Sequence, residues 1–185
     1  LKCEVLPPLV AEAKRGGRVR LWSAACSTGQ EPYSMGMTVL SLLPDAANYD
    51  VKILATDIDT DILQKASRGD YPATSLDEIP DRYRKYLVPA GDSDDRVIVD
   101  QKVRSLITFR RLNLIESWPV KGPFDAIFCR NVMIYFDNPT KSALIDRFIQ
   151  AIKPGGWLYI GHSESFHGSH PELQLVGRTT YRRKA

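Results

Sequence analysis

The stretch RLWSAACSTGQEPYSMG, residues 20–36, decides the predicted fold. It begins as an apolar run of strand length, passes through a turn of small residues and enters a helical pattern, with Pro32 suited to the first helical position. A strand, a tight turn and a helix form the first unit of an open α/β sheet, which binds ligands at the carboxyl ends of its strands. The turn has one glycine, Gly29, where a dinucleotide-binding turn has three, so the pattern argues against a pyrophosphate ligand.

The rest of the chain repeats this alternation of strand and helix. Asp59 or Thr60 is expected to cap a helix that ends at Gly69, and Asn138 is expected to cap a long helix that 153–156 stops. The last strands are close enough in sequence to form an antiparallel edge on a mostly parallel sheet. We therefore predict an α/β, Rossmann-like fold with a small inserted β-subdomain. The strands are predicted at 19–24 and 51–57, and within 95–100, 105–114, 124–136, 157–163, 173–178 and 179–183.

The totals describe one ordinary globular domain. Of the 185 residues, 43% are hydrophobic and 25% charged, and no apolar run approaches the length of a membrane span. The net charge of +3 is too small and dispersed to indicate a nucleic-acid partner. Three cysteines without metal-ligand spacing favour a reducing cytoplasm. We assign 1–185 to one catalytic domain, place the inserted β-subdomain at 79–106, and interpret the chain, which starts at Leu1, as a fragment without its beginning.

Polar and acidic residues follow successive predicted strands, where an open sheet binds its ligand. Asp57 lies where an acidic side chain accepts hydrogen bonds from ribose hydroxyls in such folds. Glu31 places a negative charge near the helix start and so favours a ligand with a positive group there. S-adenosylmethionine has an adenosine, an ammonium, a sulfonium and no phosphate, and we predict it as the cofactor. The predicted cofactor-binding residues are Ala25, Glu31, Asp57, Asn113, Leu114, Arg130 and Asn131.

Four blocks of the sequence, at 20–36, 53–71, 124–137 and 152–166, together resemble the chemotaxis receptor glutamate methyltransferases. The resemblance implies a cytoplasmic enzyme that transfers a methyl group from S-adenosylmethionine to glutamate side chains on the helical cytoplasmic region of chemoreceptors. It also implies cofactor contacts for the predicted residues from Glu31 to Asn131. Gln30 stands where an acidic residue is usual. The resemblance also implies a helical N-terminal domain, which we expect to be absent from this chain.

Methylation of a carboxylate needs alignment more than a strong base, because a glutamate is already ionised at neutral pH. Arg130 and Tyr135 are the predicted catalytic residues, since a guanidinium fork and a phenol can orient an acceptor carboxylate. The structural alternatives are an Arg130 paired with a neighbouring acid and a Tyr135 packed in the core. Cys129 ends an apolar run and is expected in the core.

No metal site is predicted, although His162, His167 and His170 cluster in one Ser- and Gly-rich loop. His162 and Glu164 are expected at the rim of the cofactor pocket.

Two other functions remain open. One is a methyltransferase that acts on nucleic acid or a small molecule; an arginine after the fourth strand favours an anionic acceptor over the amine of such a substrate. The other is a non-catalytic adaptor that binds chemoreceptors. A peptide or regulatory protein could also pair with the edge of the inserted strands. The glycine-poor turn at 89–97 argues against a receptor-tail peptide there. We expect neither nucleic-acid binding nor membrane insertion.

Overall fold

The strand predicted over 19–24 is an interior strand of a seven-stranded sheet. The structure is a computed structural model, and it describes residues 1, 4–91, 95–120, 122–161 and 170–185. The strands in chain order are β1 (Val19–Ala24), β2 (Val51–Asp57), β3 (Asp70–Pro72), β4 (Leu87–Pro89), β5 (Arg96–Val99), β6 (Ile107–Arg111), β7 (Phe124–Cys129), β8 (Ile152–Ile160), β9 (Leu173–Gly177) and β10 (Thr180–Arg183). The α-helices are α1 (Leu6–Lys14), α2 (Gln30–Leu42), α3 (Thr60–Arg68), α4 (Asp81–Arg84), α5 (Gln101–Arg104) and α6 (Asn138–Ala151).

The large sheet has the strand order β6-β2-β1-β7-β8-β10-β9. Its first five strands pair in parallel, whereas β10 runs antiparallel to both β8 and β9. This confirms the predicted α/β class with a mostly parallel sheet and an antiparallel C-terminal edge. The reversal of strand order beside β1 opens a crevice at the carboxyl ends of β1, β2, β6 and β7.

Successive residues of β1 face opposite sides of the sheet, as the twofold period of a strand requires. Leu21 belongs to the core on one side, and Trp22 is fully buried in the core on the other. The indole nitrogen of Trp22 donates a hydrogen bond to Thr56 Oγ1 at 2.9 Å. Cys129 is also fully buried, which confirms its predicted place in the core.

The helix termini confirm one capping prediction and correct another. Asp59 caps α3, since its Oδ1 accepts the N–H groups of Asp61 and Ile62, and Gly69 ends that helix in the left-handed conformation. For α6 the expected cap Asn138 is wrong. Asp137 occupies that position and accepts the Thr140 N–H at 2.9 Å. A carboxylate there also interacts favourably with the helix dipole.

Strand β8 begins directly after α6, earlier than predicted. The segment 153–156, which was expected to stop α6, lies within β8. The register between β7 and β8 shifts between Phe124 and Ala126, so an irregularity in the pairing accommodates the added residues.

A second, three-stranded antiparallel sheet has the order β3-β5-β4. Strands β4 and β5 fall within the predicted insertion at 79–106, but β3 lies before it. The sequence did not indicate β3, because Asp-Tyr-Pro is too short to show an alternating pattern. The division into a catalytic domain and an inserted subdomain stays a prediction.

Candidate active site

A cleft of about 790 Å³ lies at the carboxyl ends of the parallel strands. This volume is within the range usual for small-molecule and cofactor sites. All of the predicted site residues line the cleft, although they come from four separate strand ends. They are Ala25, Glu31, Asp57, Asn113, Leu114, Arg130, Asn131 and Tyr135.

The turn after β1 has an unusual backbone. Ala25 and Ser27 have positive φ angles of 60° and 50°, and Gly29 has a φ of 95° just before α2. Positive φ is uncommon for residues with a side chain and costs free energy, so surrounding contacts must hold the turn. A Cβ on Gly29 would lie 3.0 Å from Ala66 Cβ and 3.1 Å from the hydroxyl of Tyr71. Glycine is therefore required there for both backbone and space.

Asp57, at the end of β2, stabilises this turn. Its Oδ2 accepts the Ser27 N–H at 2.9 Å, and its Oδ1 accepts the Asp59 N–H at 3.1 Å. These two hydrogen bonds orient the carboxylate where it lines the cleft. Each carboxylate oxygen has further acceptor capacity, as a ribose diol would need.

Glu31 lies in the first turn of α2, where the helix dipole favours a negative charge. Ser23 Oγ donates to its Oε1 at 2.7 Å, and Arg130 Nη1 lies 3.6 Å from its Oε2. The structural alternative for Arg130, pairing with a neighbouring acid, is therefore observed. The Arg130 side chain nevertheless stays 44% exposed at the cleft, so the ion pair leaves part of the guanidinium accessible.

Tyr135 ends a 3-10 helix, Met133–Tyr135, that follows β7. It is 78% exposed, so the alternative of a core-packed tyrosine is wrong. Asn131, between Arg130 and this helix, has a φ of 61°. The tight backbone after β7 thus presents the Tyr135 phenol at the cleft while Met133 is buried below it.

The cleft wall after β6, formed by Leu114 and Ile115, is held by an arginine that sequence reasoning missed. Arg147, on α6, donates to the carbonyl oxygens of Leu114 at 2.7 Å, Ile115 at 3.3 Å and Glu116. Its guanidinium carbon lies 3.9 Å from the centre of the Trp118 ring. No sequence signal marks Arg147, since it occupies an ordinary polar position on an amphipathic helix.

The Cys26 thiol, which lines the cleft, is not activated. Burial, followed by the negative charge of Asp57, raises the pKa of the Cys26 thiol from 9.0 to about 12. The thiol is therefore protonated at neutral pH and does not act as a nucleophile.

In the part of the chain that the structure describes, no group of His, Cys, Asp and Glu side chains is arranged to hold a metal. His170 Nε2 lies 3.2 Å from Asp146 Oδ1. The predicted rim residues His162 and Glu164, and His167 with them, lie outside the described residues.

The side chains fit S-adenosylmethionine better than a phosphate ligand. Glu31 and Asp57 are both acidic, and a phosphate would be repelled where an ammonium and a ribose would be bound. Apolar side chains at Ile58 and Ile115 complete the lining.

The fold and this cleft define an S-adenosylmethionine-dependent methyltransferase. Residues 1–182 match the family model described as CheR methyltransferase, SAM binding domain. The chain belongs to the CheR methyltransferase family, which confirms the resemblance predicted from the sequence blocks.

Named relatives agree with this assignment. The chain is 50% identical over 185 residues to a probable chemotaxis protein methyltransferase of Rhizobium etli, covering 98% of this chain and 69% of the relative. It is 42% identical over 179 residues to the chemotaxis protein methyltransferase of Escherichia coli, covering 94% and 62%. The chain thus spans 62% to 69% of the length of these two relatives.

A solved structure, the DszA carbon methyltransferase, shares the fold with a TM-score of 0.54 and 16% identity, over 84% of this chain and 31% of that one. Among the described residues, no helix combines the length and apolar character that crossing a membrane would require.

Proposed function

We propose that this chain transfers the methyl group of S-adenosylmethionine to glutamate side-chain carboxylates of chemoreceptors. The observation that carries the proposal is the position of Arg130 at the cofactor cleft, ion-paired to Glu31 and followed by the exposed Tyr135. A guanidinium and a phenol are hydrogen-bond donors suited to an anionic acceptor. The names of the relatives, chemotaxis protein methyltransferases, support the receptor as substrate.

Each predicted residue then has a role in holding the cofactor. Asp57 accepts the ribose hydroxyls, and Glu31 attracts the ammonium group. Asn113 and Leu114, after β6, and Ala25 and Asn131, in the two left-handed turns, supply the remaining contacts. The proposed cofactor-binding residues, all of which line the cleft, are Ala25, Glu31, Asp57, Asn113, Leu114, Arg130 and Asn131.

Arg130 and Tyr135 are assigned to the acceptor. S-adenosylmethionine supplies a methyl group on a cationic sulfur, and a carboxylate oxygen takes the methyl as the carbon–sulfur bond breaks, which cancels both charges and leaves S-adenosylhomocysteine. Because the carboxylate must stay nucleophilic, Arg130 should orient it without a tight bidentate pair. The competing ion pair with Glu31 limits how strongly Arg130 binds the acceptor.

The proposed partner is the helical cytoplasmic region of a chemoreceptor, and the proposed location is the cytoplasm, with neither nucleic-acid binding nor membrane insertion. The outer strands of the small sheet are β3 and β4, and an edge strand suits pairing with an extended peptide or a regulatory protein. The glycine-poor sequence at 89–97 argues against a receptor-tail peptide there.

The cofactor site is tested by calorimetric titration with S-adenosylhomocysteine. We expect saturable binding that Asp57→Asn weakens by about tenfold or more, since hydrogen bonds to a charged acceptor are lost. Asp81→Asn is the matched control, because Asp81 is 92% exposed and pairs with Arg84 away from the cleft. A flat titration of the folded protein would contradict the cofactor site.

The acceptor is tested with radiolabelled S-adenosylmethionine and a receptor cytoplasmic fragment. Label recovered as an alkali-labile methyl ester on the receptor supports the proposal. Alkali-stable label on nucleic acid would favour the other methyltransferase hypothesis. Saturable cofactor binding without any transfer would favour the adaptor.

A further inference from the structure

A hydrogen bond joins the small sheet to the turn that lines the cofactor cleft. Tyr71, in the middle of β3, donates its hydroxyl hydrogen to the carbonyl oxygen of Thr28 at 2.7 Å. Thr28 lies between Ser27, which lines the cleft, and Gly29, which begins the approach to α2. The two residues are 43 positions apart, so the contact connects distant parts of the chain.

The turn needs such contacts because its backbone is strained. Ala25 and Ser27 have positive φ angles, a conformation that side chains disfavour unless the surroundings hold it. From β2, Thr56 accepts the Cys26 N–H at 2.8 Å, and Asp57 accepts the Ser27 N–H. These bonds fix the first half of the turn. The Tyr71 hydroxyl holds the second half, at Thr28.

Tyr71 is itself held in place. Its backbone pairs with Val97 of β5, and its ring meets the ring of Tyr33 edge-on, with the ring centres 6.1 Å apart. Burial raises the pKa of the Tyr71 phenol above its ordinary value, so the hydroxyl keeps its proton over the usable pH range. The donor is therefore always present.

We propose that Tyr71 is a positioning residue through which the small sheet holds the cofactor-binding turn and thereby sets the affinity for S-adenosylmethionine. The inference rests on the proposed cofactor site but not on the identity of the methyl acceptor. Loss of the Tyr71 hydroxyl lets the turn leave its strained conformation when no ligand is bound. Cofactor binding must then restore that conformation, which weakens the measured affinity.

The test compares two variants that each remove one oxygen atom. Tyr71→Phe deletes the bond to Thr28. Tyr33→Phe is the matched control, because it keeps the ring that packs edge-on against Tyr71 and removes only the hydroxyl, which donates to the Ala66 carbonyl of α3 at 2.7 Å. Loss of one hydrogen bond of this kind corresponds to about fivefold in an equilibrium constant. We expect Tyr71→Phe to raise the dissociation constant of S-adenosylhomocysteine by about this factor, and Tyr33→Phe to change it less than about twofold.

Two further readouts separate positioning from general stability. In steady-state kinetics, Tyr71→Phe should raise KM for S-adenosylmethionine while kcat at saturation is unchanged. In the wild-type protein, bound S-adenosylhomocysteine should slow amide hydrogen exchange in β3 and β5, since coupling between two sites is reciprocal. This second measurement needs no variant and so does not depend on the folding of Tyr71→Phe.

The outcomes are distinguishable. Wild-type protein that binds no S-adenosylhomocysteine would contradict the proposed cofactor site itself. Wild-type binding with equal affinities for Tyr71→Phe and wild type would overturn the role of Tyr71 alone. Equal loss of affinity for S-adenosylhomocysteine in Tyr71→Phe and Tyr33→Phe would also overturn it. So would amide exchange rates in β3 and β5 that are the same with and without the ligand.

Discussion

Arg130 Nη1 lies 3.6 Å from Glu31 Oε2, across the cleft between the end of β7 and the start of α2. Both side chains are partly exposed, and ion pairs of this kind contribute little to stability. The pair is therefore better explained by what it presents to ligands. Without Arg130, the Glu31 carboxylate would concentrate negative charge at the cleft, and without Glu31 the guanidinium would be free to bind an acceptor carboxylate tightly.

Neutralising Glu31 should weaken cofactor binding. Glu31→Gln keeps an oxygen for the Ser23 hydroxyl but removes the charge that attracts an ammonium. We expect the dissociation constant of S-adenosylhomocysteine to rise by about tenfold or more, because a hydrogen bond to a charged group is lost. Glu172→Gln is the control, since Glu172 also pairs with an arginine, Arg183, but away from the cleft. Equal affinities for Glu31→Gln and wild type in calorimetry would remove Glu31 from the site.

Tyr135→Phe should slow methyl transfer without affecting the fold. The side chain is 78% exposed, so its hydroxyl contributes little to the stability of the folded state. If the phenol orients the acceptor, kcat falls by about tenfold while cofactor affinity changes less than about twofold. Initial rates with a receptor fragment and parallel titrations check this. An unchanged kcat would mean that Tyr135 does not touch the acceptor.

Gly29→Ala should be far more damaging than the same change at Gly91. Both glycines have positive φ, 95° and 88°, so both substitutions carry a backbone cost of about 1–2 kcal/mol. A Cβ at Gly91 meets nothing within 4 Å, whereas at Gly29 it meets three side-chain atoms at 3.0–3.2 Å. Overpacking of this kind typically adds about 1–3 kcal/mol. Urea unfolding measures the free energy of unfolding of the two variants. Equal losses of stability would show that the turn accommodates a Cβ at Gly29 without strain.

The large sheet was predictable because its strands are apolar runs bounded by residues that end helices. Strand β1 and strand β2 match the predicted ranges, and Asp57 falls at a strand end because the sequence pattern itself changes there. The site followed from the fold: once parallel strands are recognised, the residues after them must share one edge. That reasoning brought Glu31, Asp57 and Arg130 together without any contact information.

The supporting residues were not predictable in this way. Arg147 and Tyr71 lie within secondary structure elements, and each acts on a backbone carbonyl of a loop distant in sequence. Hydropathy patterns show which face of an element is buried, but not which carbonyl a polar side chain reaches. The N-cap of α6 was predicted one residue too late, because Asp137 and Asn138 are adjacent and both residue types suit a helix N-terminus.

Arg147→Lys should loosen the wall formed by Leu114 and Ile115. A lysine retains the charge but not the planar fork that reaches several carbonyls and stacks on Trp118. We expect S-adenosylhomocysteine to bind about threefold to tenfold more weakly, corresponding to roughly one or two net hydrogen bonds.

The control for Arg147 is Arg182→Lys. Arg182 also donates to a carbonyl, that of Gly155 at 3.2 Å, and lies over a tryptophan, Trp157, but on the antiparallel side of the sheet. Its substitution should leave the affinity unchanged. Equal effects of the two substitutions would assign the loss to general destabilisation.

Cys26 should resist alkylation until the protein unfolds. Because burial raises its pKa from 9.0 to about 12, the folded protein keeps the thiol protonated at pH 8, whereas in the unfolded chain half of these thiols are ionised at pH 9. Between these two pKa values the folded state binds more protons than the unfolded state, so the contribution of this group to stability falls as the pH rises from 9 towards 12.

Labelling with N-ethylmaleimide, followed by peptide mass spectrometry, should therefore show slow modification at Cys26 in the folded protein and fast modification in denaturant. In the folded protein the rate should continue to rise above pH 9, where that of the denatured chain levels off. Rapid labelling of folded protein at pH 8 would mean that the turn after β1 opens readily to solvent.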